Sequence, residues 1–284
     1  MSLSKKIDFA VIIGVKNANP NGDPLNGNRP RTSYEGIGEI SDVCLKRKIR
    51  NRLMNKGYPV FVQSDDNKND DAKSLKERYV KTLGDNVELD KACKTWFDVR
   101  AFGQLFAFSG SKGKKVKKGN DSDSDGDGTA DGVSIPVRGP VSLHSAFSIE
   151  PVNITSIQIT KSVNSENTDS GKKSSDTMGM KHRVDEGVYV FYGSMNPQLA
   201  VKTGFSDEDA MVIKEVLSTL FENDASSARP DGSMRVIKVF WWEHSSKEGN
   251  YSSAKVHGSL KVDIDGSYKL IPLEGLKPEE IDGF

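Results

Sequence analysis

The stretch IDFAVIIGVKNANPNGDPLNGNRPRTSYEGIGEISDVCLKRKIRNRL, residues 7–53, contains the first strand, loop and helix that the sequence predicts. Residues 7–15 are almost all apolar and rich in β-branched side chains, a pattern typical of a buried strand. Residues 17–30 contain five Asn, three Pro and two Gly, which predicts a loop without regular structure. This loop is either a rigid connector or a nest of backbone N–H groups that holds a phosphate.

The helix predicted at 41–54, with Ser41 or Asp42 as its N-cap, combines an apolar stripe with a dense row of cations. The stripe repeats every four residues, as one buried face of a helix requires, and consists of Leu45, Ile49 and Leu53. Five cations stand within seven residues: Lys46, Arg47, Lys48, Arg50 and Arg52. No acid within that run can pair with them, so the pattern favours a surface that binds a polyanion. A solvated helix face has the same pattern and is the alternative.

Charges of the two signs balance over the whole chain, with 40 Lys and Arg against 40 Asp and Glu. A basic field over the entire protein is therefore absent, although a local cationic strip is enough to follow phosphates. The two cysteines, Cys44 and Cys93, form no CxxC motif, which favours a reducing cytoplasm. No run approaches the roughly 20 apolar residues of a membrane span. The sequence thus predicts a soluble cytoplasmic protein without membrane contact.

Three polar segments are predicted to leave the core. Residues 58–95 are charged and helical in part. Residues 109–132 carry a run of five Lys followed by five Asp and are predicted to be a disordered charged loop. The alternating pattern of 152–160, the polar stretch after it and the strand-like 187–192 predict a long hairpin arm.

Between these segments the predicted elements follow the order strand, helix, strand, strand, helix, strand. The second helix begins at a capping box formed by Ser206 and Asp209. Residues 95–108 are aromatic and β-prone, and 259–270 predict a further hairpin. The order of elements is the split βαβ arrangement of a ferredoxin-like domain. We therefore expect one α+β domain over 1–284, with an antiparallel sheet and two insertions.

Motifs for metal or nucleotide chemistry are weak in this sequence. The four histidines are not spaced as i, i+3 or i, i+4 pairs, which argues against a zinc site; they are His144, His182, His244 and His257. Residues 121–132, DSDSDGDGTADG, resemble a calcium loop, but Gly132 stands where the closing bidentate ligand belongs. Motifs such as GxxxxGK[ST] and GxSxG do not occur. The sequence predicts no metal and no cofactor.

His182 lies in TMGMKHR, residues 177–183, beside two cations. In that position it is either a general base for RNA cleavage or a side chain that stacks on a base or contacts a phosphate. The residue pattern alone leaves both interpretations open.

Several blocks of the chain resemble the backbone subunits of the type I-C CRISPR surveillance complex, Cascade, which belong to the RAMP superfamily. In chain order the blocks are NPNGDP at 19–24, PR at 30–31, GIGEISDVCLKRKIRN at 36–51, DVRAFG at 98–103, VRGPV at 137–141, TMGMKH at 177–182, TGFSDED at 203–209 and SSAR at 226–229. The resemblance therefore spans nearly the whole chain, and it rests on the order and spacing of these blocks.

The resemblance implies a palm built on a modified RNA-recognition-motif (RRM) core of ferredoxin-like topology, a finger insertion at 58–95 and a β-hairpin thumb at 152–186. It implies a non-catalytic subunit that binds CRISPR RNA, stacks head to tail with copies of itself along this guide, and joins other Cascade subunits. Target DNA is then read by base pairing with the guide. Such a complex serves antiviral defence in a prokaryotic cytoplasm.

Matching the family motifs implies RNA contacts at nine positions. Along the palm they are Asn21, Arg31, Lys46, Arg47, Arg50 and Arg138, and in the thumb they are Met178, Lys181 and His182. Met178 is a candidate wedge between bases. Two alternative hypotheses remain: a metal-independent CRISPR RNA endoribonuclease of the same superfamily that uses His182 or His144, and a calcium-responsive module built on 121–131.

Overall fold

The computed structural model describes residues 1–64, 69–107, 134–160 and 178–284. The charged loop predicted at 109–132, with its lysine and aspartate runs and its calcium-like motif, lies outside the described residues. So does the part of the predicted arm at 161–177.

The described part of the chain contains strands and helices in an α+β arrangement. In chain order the strands are β1 (Ile7–Ala18), β2 (Gly22–Asp23), β3 (Arg29–Pro30), β4 (Ile37–Ile40), β5 (Gly103–Ala107), β6 (Ser134–Arg138), β7 (Val141–Leu143), β8 (Ala146–Pro151), β9 (Ile154–Thr160), β10 (Met178–Met195), β11 (Met234–Glu243), β12 (Leu260–Val262), β13 (Tyr268–Leu270) and β14 (Glu279–Asp282). The helices are α1 (Asp42–Asn55), α2 (Leu75–Leu83), α3 (Leu89–Thr95), α4 (Phe97–Phe102), α5 (Pro197–Thr203), α6 (Asp207–Ser218) and α7 (Ser253–Gly258).

The main sheet has the strand order β14-β11-β1-β10-β8-β4, and neighbouring strands are antiparallel. Four strands of this sheet and two helices follow the chain order strand, helix, strand, strand, helix, strand. They are β1, α1, β8, β10, α6 and β11. The four strands of this set lie side by side as β11-β1-β10-β8, so the first strand is central and the fourth lies beside it. The predicted α+β fold with a ferredoxin-like antiparallel sheet is confirmed.

Alternate residues of β1 are buried on opposite faces of the sheet. Phe9, Val11 and Ile13 belong to the core that α1 and α6 cover. Ala10 and Ile12 belong to a second core, which the segment 244–276 covers. Both faces of β1 are therefore covered, as the apolar residues at nearly every position of this strand predicted. Within the ranges described, every helix is too short or too polar to cross a bilayer.

Buried hydrogen bonds connect the segment 244–276 to β1. The backbone N–H of Asn250 donates to His244 Nδ1 at 2.8 Å, so the proton of this imidazole sits on Nε2. Nε2 in turn donates to the carboxylate of Asp8 at 2.8 Å, and both side chains are fully buried. The predicted hairpin at 259–270 is present in this segment as β12 and β13.

Residues 58–107 differ from the sequence prediction in one part. The β-prone stretch 95–108 contains helix α4 before it becomes strand β5. Trp96 and Phe106 of this stretch belong to a third core, which residues of α2 and α3 share, and the rings of Phe61 and Trp96 lie 4.6 Å apart in it. Packing of these rings has overridden local β propensity, which is weak and depends on context.

A close backbone crossing explains the glycines of DVRAFG and VRGPV. Gly103 has φ +81°, and a Cβ there would lie 2.3 Å from the carbonyl oxygen of Val137. A Cβ on Gly139 would lie 2.4 Å from the backbone nitrogen of Gly103. Only glycine permits β5 and β6 to meet in this way.

Candidate nucleic-acid interface

A polar groove lies where the loop 19–22, helix α1 and the turn 223–229 meet. It encloses about 360 Å³. We call it the α1 groove; the lining side chains that matter here are Asn21, Arg47, Lys48, Asn51, Asp224 and Arg229. Three of these six are cations and one is an acid, so the groove carries net positive charge, as a phosphate-binding surface requires.

The loop that forms one wall of the groove is hydrogen-bonded to both other walls. The Oδ1 atom of Asn21 accepts hydrogen bonds from the N–H and the hydroxyl of Ser41, at 2.9 and 2.8 Å. Ser41, one of the two residues predicted as candidate caps, is the N-cap of α1. The backbone N–H of Asn19 donates to the carbonyl of Ala228 at 2.8 Å. The loop 17–30 is also more regular than predicted, because β2 and β3 pair as a short ladder within it.

No acid lies within the run 46–52, as the sequence shows, but acids elsewhere in the chain pair with several cations of α1. Lys48, Arg52 and Lys56 recur every fourth residue and point at α6 and the turn after it. Lys48 forms a buried ion pair with Asp224, and Lys56 pairs with Glu215. The guanidinium of Arg52 donates to the hydroxyl of Thr219 at 3.2 Å. This row of cations attaches α1 to α6.

Arg50 was predicted to contact RNA, but the structure gives it a structural role. Its Nε donates to the carboxylate of Asp98 at 2.8 Å, and Asp98 is 1% exposed. The same carboxylate accepts the backbone N–H groups of Phe61 and Val62, at 2.7 and 3.0 Å. The guanidinium also lies 5.2 Å from the centre of the Phe102 ring. Because this group joins α1 to α4 inside the protein, Arg50 is not part of the proposed interface.

Two further predicted cations lie near the groove and have local acidic neighbours. Lys46 Nζ is 2.9 Å from Asp42 at the start of α1, which is an i, i+4 pair within the helix. Arg31 follows β3, and its guanidinium is 3.5 Å from Asp23. Both side chains stay partly exposed, so a phosphate can still approach them.

Arg138 lies apart from the residues that line the α1 groove. It is exposed at the end of β6, beside the close crossing of Gly103 and Gly139. The described residues that line the groove do not include Arg138. Its predicted RNA contact therefore requires a strand that extends beyond the groove.

The hairpin of β9 and the first part of β10 forms an arm with apolar side chains on both faces. Lys181 pairs with Ile157 in the ladder, so Ile157 and Ile159 share the face of Lys181, whereas Met178, Met180 and His182 occupy the other face. The side chains of the two isoleucines and the two methionines are exposed. His182 Nδ1 lies 2.8 Å from the hydroxyl of Ser156 across the ladder. The structure thus places Met178, Lys181 and His182 on this arm and does not place them in the α1 groove.

Burial tunes two titratable groups in the α1 groove. Burial lowers the pKa of the Lys48 ammonium, and the charge of Asp224 beside it offsets part of that effect. Burial raises the pKa of the Cys44 thiol, so this cysteine stays protonated and is a poor nucleophile. Within the ranges described, His, Cys, Asp and Glu form no cluster of three or more that could hold a metal ion.

Sequence reasoning missed three groove residues, Asn51, Asp224 and Arg229. SSAR at 226–229 was noted as a block, but no role was assigned to its arginine. A local signal exists: Asn223 adopts the left-handed region with φ +60°, and Asp, Ser and Arg follow it closely. This composition indicates a tight polar turn directly after an amphipathic helix.

Comparison with known proteins gives matches that cover most of the chain. Residues 5–275 match the family model for CRISPR-associated protein Cas7. The CRISPR-associated protein Cas7 of Haloferax volcanii is 25% identical over 293 residues, which cover 95% of this chain and 79% of that protein.

Solved structures give more distant likenesses. One chain from a CRISPR RNA-guided surveillance complex, pre-nicking, is 13% identical with a TM-score of 0.46, over 84% of this chain and 75% of that one. One chain from a Type III-B Cmr-beta complex bound to cognate target RNA is 10% identical with a TM-score of 0.42, over 84% of this chain and 61% of that one. Likenesses at this level support no conclusion about what the chain does.

Proposed function

The chain belongs to the Cas7 family of CRISPR-associated proteins, and from this premise we propose that it is a non-catalytic backbone subunit that binds CRISPR RNA in a prokaryotic surveillance complex. The type I-C subtype is part of the proposal. It is supported by the order of the sequence blocks from NPNGDP at 19–24 to SSAR at 226–229. The cytoplasm is the proposed location.

The α1 groove is the observation that carries this function. Arg47 lines it from α1 and Arg229 from the turn 223–229, so two guanidinium groups reach the same cavity from separate elements. One guanidinium group can donate two parallel hydrogen bonds to the oxygens of one phosphate. Such contacts position a nucleic-acid strand without reading its bases. Asn21 and Asn51 add amide groups that can contact phosphate or the ribose 2′-hydroxyl. Lys46 and Arg31 extend the positive surface beside the groove.

The arm supplies the contacts between copies in this proposal. Its exposed Met178 would enter between bases of the guide, and Lys181 and His182 would contact the same strand. Copies would stack head to tail along one RNA, so that weak contacts add up through multivalency. The guide would remain available to pair with target DNA, and other subunits of the complex would cap the stack.

RNA binding by matched double variants tests the proposal. Arg47→Ala with Arg229→Ala removes two charge-assisted contacts, each worth about 1.5–3 kcal/mol, so affinity for a CRISPR RNA should fall by at least about a hundredfold. Lys261→Ala with Lys269→Ala is the control, because it makes the same charge change on β12 and β13, which cover the opposite sheet face. Binding is measured by fluorescence anisotropy at fixed salt, and folding by thermal melting.

Three results would contradict the proposal. The wild-type protein could fail to bind CRISPR RNA, or the two double variants could lose the same affinity. The third is cleavage of a repeat RNA that His182→Ala or His144→Ala abolishes, because this would favour the endoribonuclease alternative.

A further inference from the structure

Asp224 is the one acidic side chain among the six groove residues defined above, and it touches two cations at once. Its Oδ2 atom accepts a hydrogen bond from Lys48 Nζ. The same oxygen accepts a hydrogen bond from Arg229 Nε at 3.2 Å. The Asp224 side chain is 14% exposed, Lys48 is 6% exposed and Arg229 is 27% exposed. One carboxylate oxygen thus joins a buried lysine of α1 to a partly exposed arginine of the turn.

The backbone of this turn is fixed independently of Asp224. Ser226 and Arg229 exchange two backbone hydrogen bonds, at 2.8 and 3.0 Å. Ala228 accepts the N–H of Asn19. These bonds hold the Cα of Arg229 in place. They do not fix the rotamer of the Arg229 side chain, because an arginine has about 2 kcal/mol of rotamer entropy to lose.

The atoms that Asp224 uses leave the phosphate-binding end of Arg229 available. The hydrogen bond from Arg229 to Asp224 uses Nε. Bidentate contact with a phosphate requires two parallel N–H groups of the guanidinium fork, and Arg presents five such donors. Asp224 therefore orients the Arg229 guanidinium through Nε, and the terminal N–H groups remain available to bind a phosphate.

We propose that Asp224 is a positioning residue of the α1 groove: by joining Arg229 to Lys48 it presents the Arg229 guanidinium to an RNA phosphate. This inference rests on the proposed function. The carboxylate also repels phosphate, but two cations share its charge, so the trio keeps a net charge of +1. Burial of Lys48 ties that ammonium to Asp224, because no other acid pairs with it in the described part of the chain. Asp224 thus favours RNA binding by orienting Arg229, and this gain exceeds the repulsion.

A double-mutant cycle on RNA binding tests this role. Asp224→Asn should weaken binding of a labelled CRISPR RNA about tenfold. In the Arg229→Ala background the same substitution should cost nothing further, because Asp224 acts through Arg229. For Asp224→Asn alone, the slope of log affinity against log salt concentration should become less steep than in the wild type by roughly 0.7. This is the value expected when one phosphate contact to a single strand is lost. Asp231→Asn is the control, since it makes the same charge change at an exposed residue whose side chain accepts a hydrogen bond from the adjacent Gly232 N–H.

A second variant separates positioning from folding. Lys48→Met with Asp224→Asn removes both buried charges, so no ammonium is left unpaired in the interior. Its melting temperature should lie above that of Asp224→Asn, while RNA binding stays weak. Wild-type affinity in this variant would overturn the positioning role, as would additive losses in the cycle or equal losses in Asp224→Asn and Asp231→Asn. A wild-type chain that binds no CRISPR RNA would instead overturn the proposed function, and the positioning role with it.

Discussion

The α1 groove contains Asn21 and Arg47 of the nine predicted RNA contacts and the β9–β10 arm contains three, but the two regions differ in what holds their side chains in place. In the groove, Asn21 is bonded to the cap of α1, and Lys48 is bonded to Asp224. On the arm, Ile159 and Met178 extend from a two-stranded ladder and remain about half or more exposed. The groove is thus preformed by the chain itself, whereas the arm carries apolar side chains that the described residues leave exposed.

This difference indicates two kinds of binding site in one molecule. A preformed groove loses little entropy when it binds, because its side chains are already ordered. An arm with apolar side chains on both faces gains most of its stabilisation after a partner covers it. Substitutions in the buried ion pairs of α1 should therefore lower stability, and substitutions of exposed side chains on the arm should affect RNA binding and assembly.

The largest expected effect concerns the ion pair that anchors α1 beside the groove. Asp98→Ala leaves the guanidinium of Arg50 buried without its partner, which costs about 3–5 kcal/mol of unfolding free energy. Glu88→Ala is the control, because the pair of Glu88 with Lys91 is exposed and worth at most about 1 kcal/mol. Urea unfolding monitored by circular dichroism measures both. Equal losses in the two variants would show that the anchoring pair contributes no more than a surface pair.

An intermediate effect is expected on the arm, and it should appear in assembly and not in stability. Ile159→Ser and Met178→Ser remove side chains that are 49% and 69% exposed, so the free energy of unfolding should change little. RNA-driven oligomerisation should weaken by up to about 2 kcal/mol for each side chain that a partner buries. Analytical ultracentrifugation with CRISPR RNA measures this, with Thr160→Ala on the same arm as control. Unchanged assembly in both serine variants would remove the arm from the interface.

The smallest expected effect is a pH dependence that belongs to the groove. Burial lowers the pKa of Lys48 below its ordinary value of 10.5. Between the folded pKa and 10.5 the unfolded chain binds more protons than the native chain, so the contribution of Lys48 to stability rises with pH in that window. The unfolding free energy of the wild type, minus that of Lys48→Met, should therefore increase as pH rises toward 10.5. Lys202→Met, at an exposed lysine of α5, gives the baseline, and a difference that decreases with pH would contradict the assignment.

Local signals in the sequence were sufficient for the order of the core elements. The stripe of Leu45, Ile49 and Leu53 and the cap at Ser41 correctly predicted α1, because both signals lie within one short window. The capping box of Ser206 and Asp209 predicted α6 for the same reason. In contrast, the β propensity of 95–108 is confirmed only in β5, since the helix α4 before it depends on rings packed from elsewhere in the chain.

The site was less predictable than the fold. Charge density on α1 suggested a cationic surface, but an ion pair depends on where distant acids come to lie. Asp98 is 48 residues from Arg50, and Asp224 is 176 residues from Lys48. A window that contains only α1 cannot reveal either partner. The groove residue Arg229 was missed because it joins α1 only after the chain has folded.

The sequence by itself determined the ferredoxin-like order of strands and helices, the cap and buried stripe of α1, and the blocks that identify the family. Tertiary structure alone decided which cations stabilise the interior and which line the groove. The physical reason is range: periodicity and capping act over a few residues, whereas the burial and pairing of a charge depend on groups brought together from distant parts of the chain.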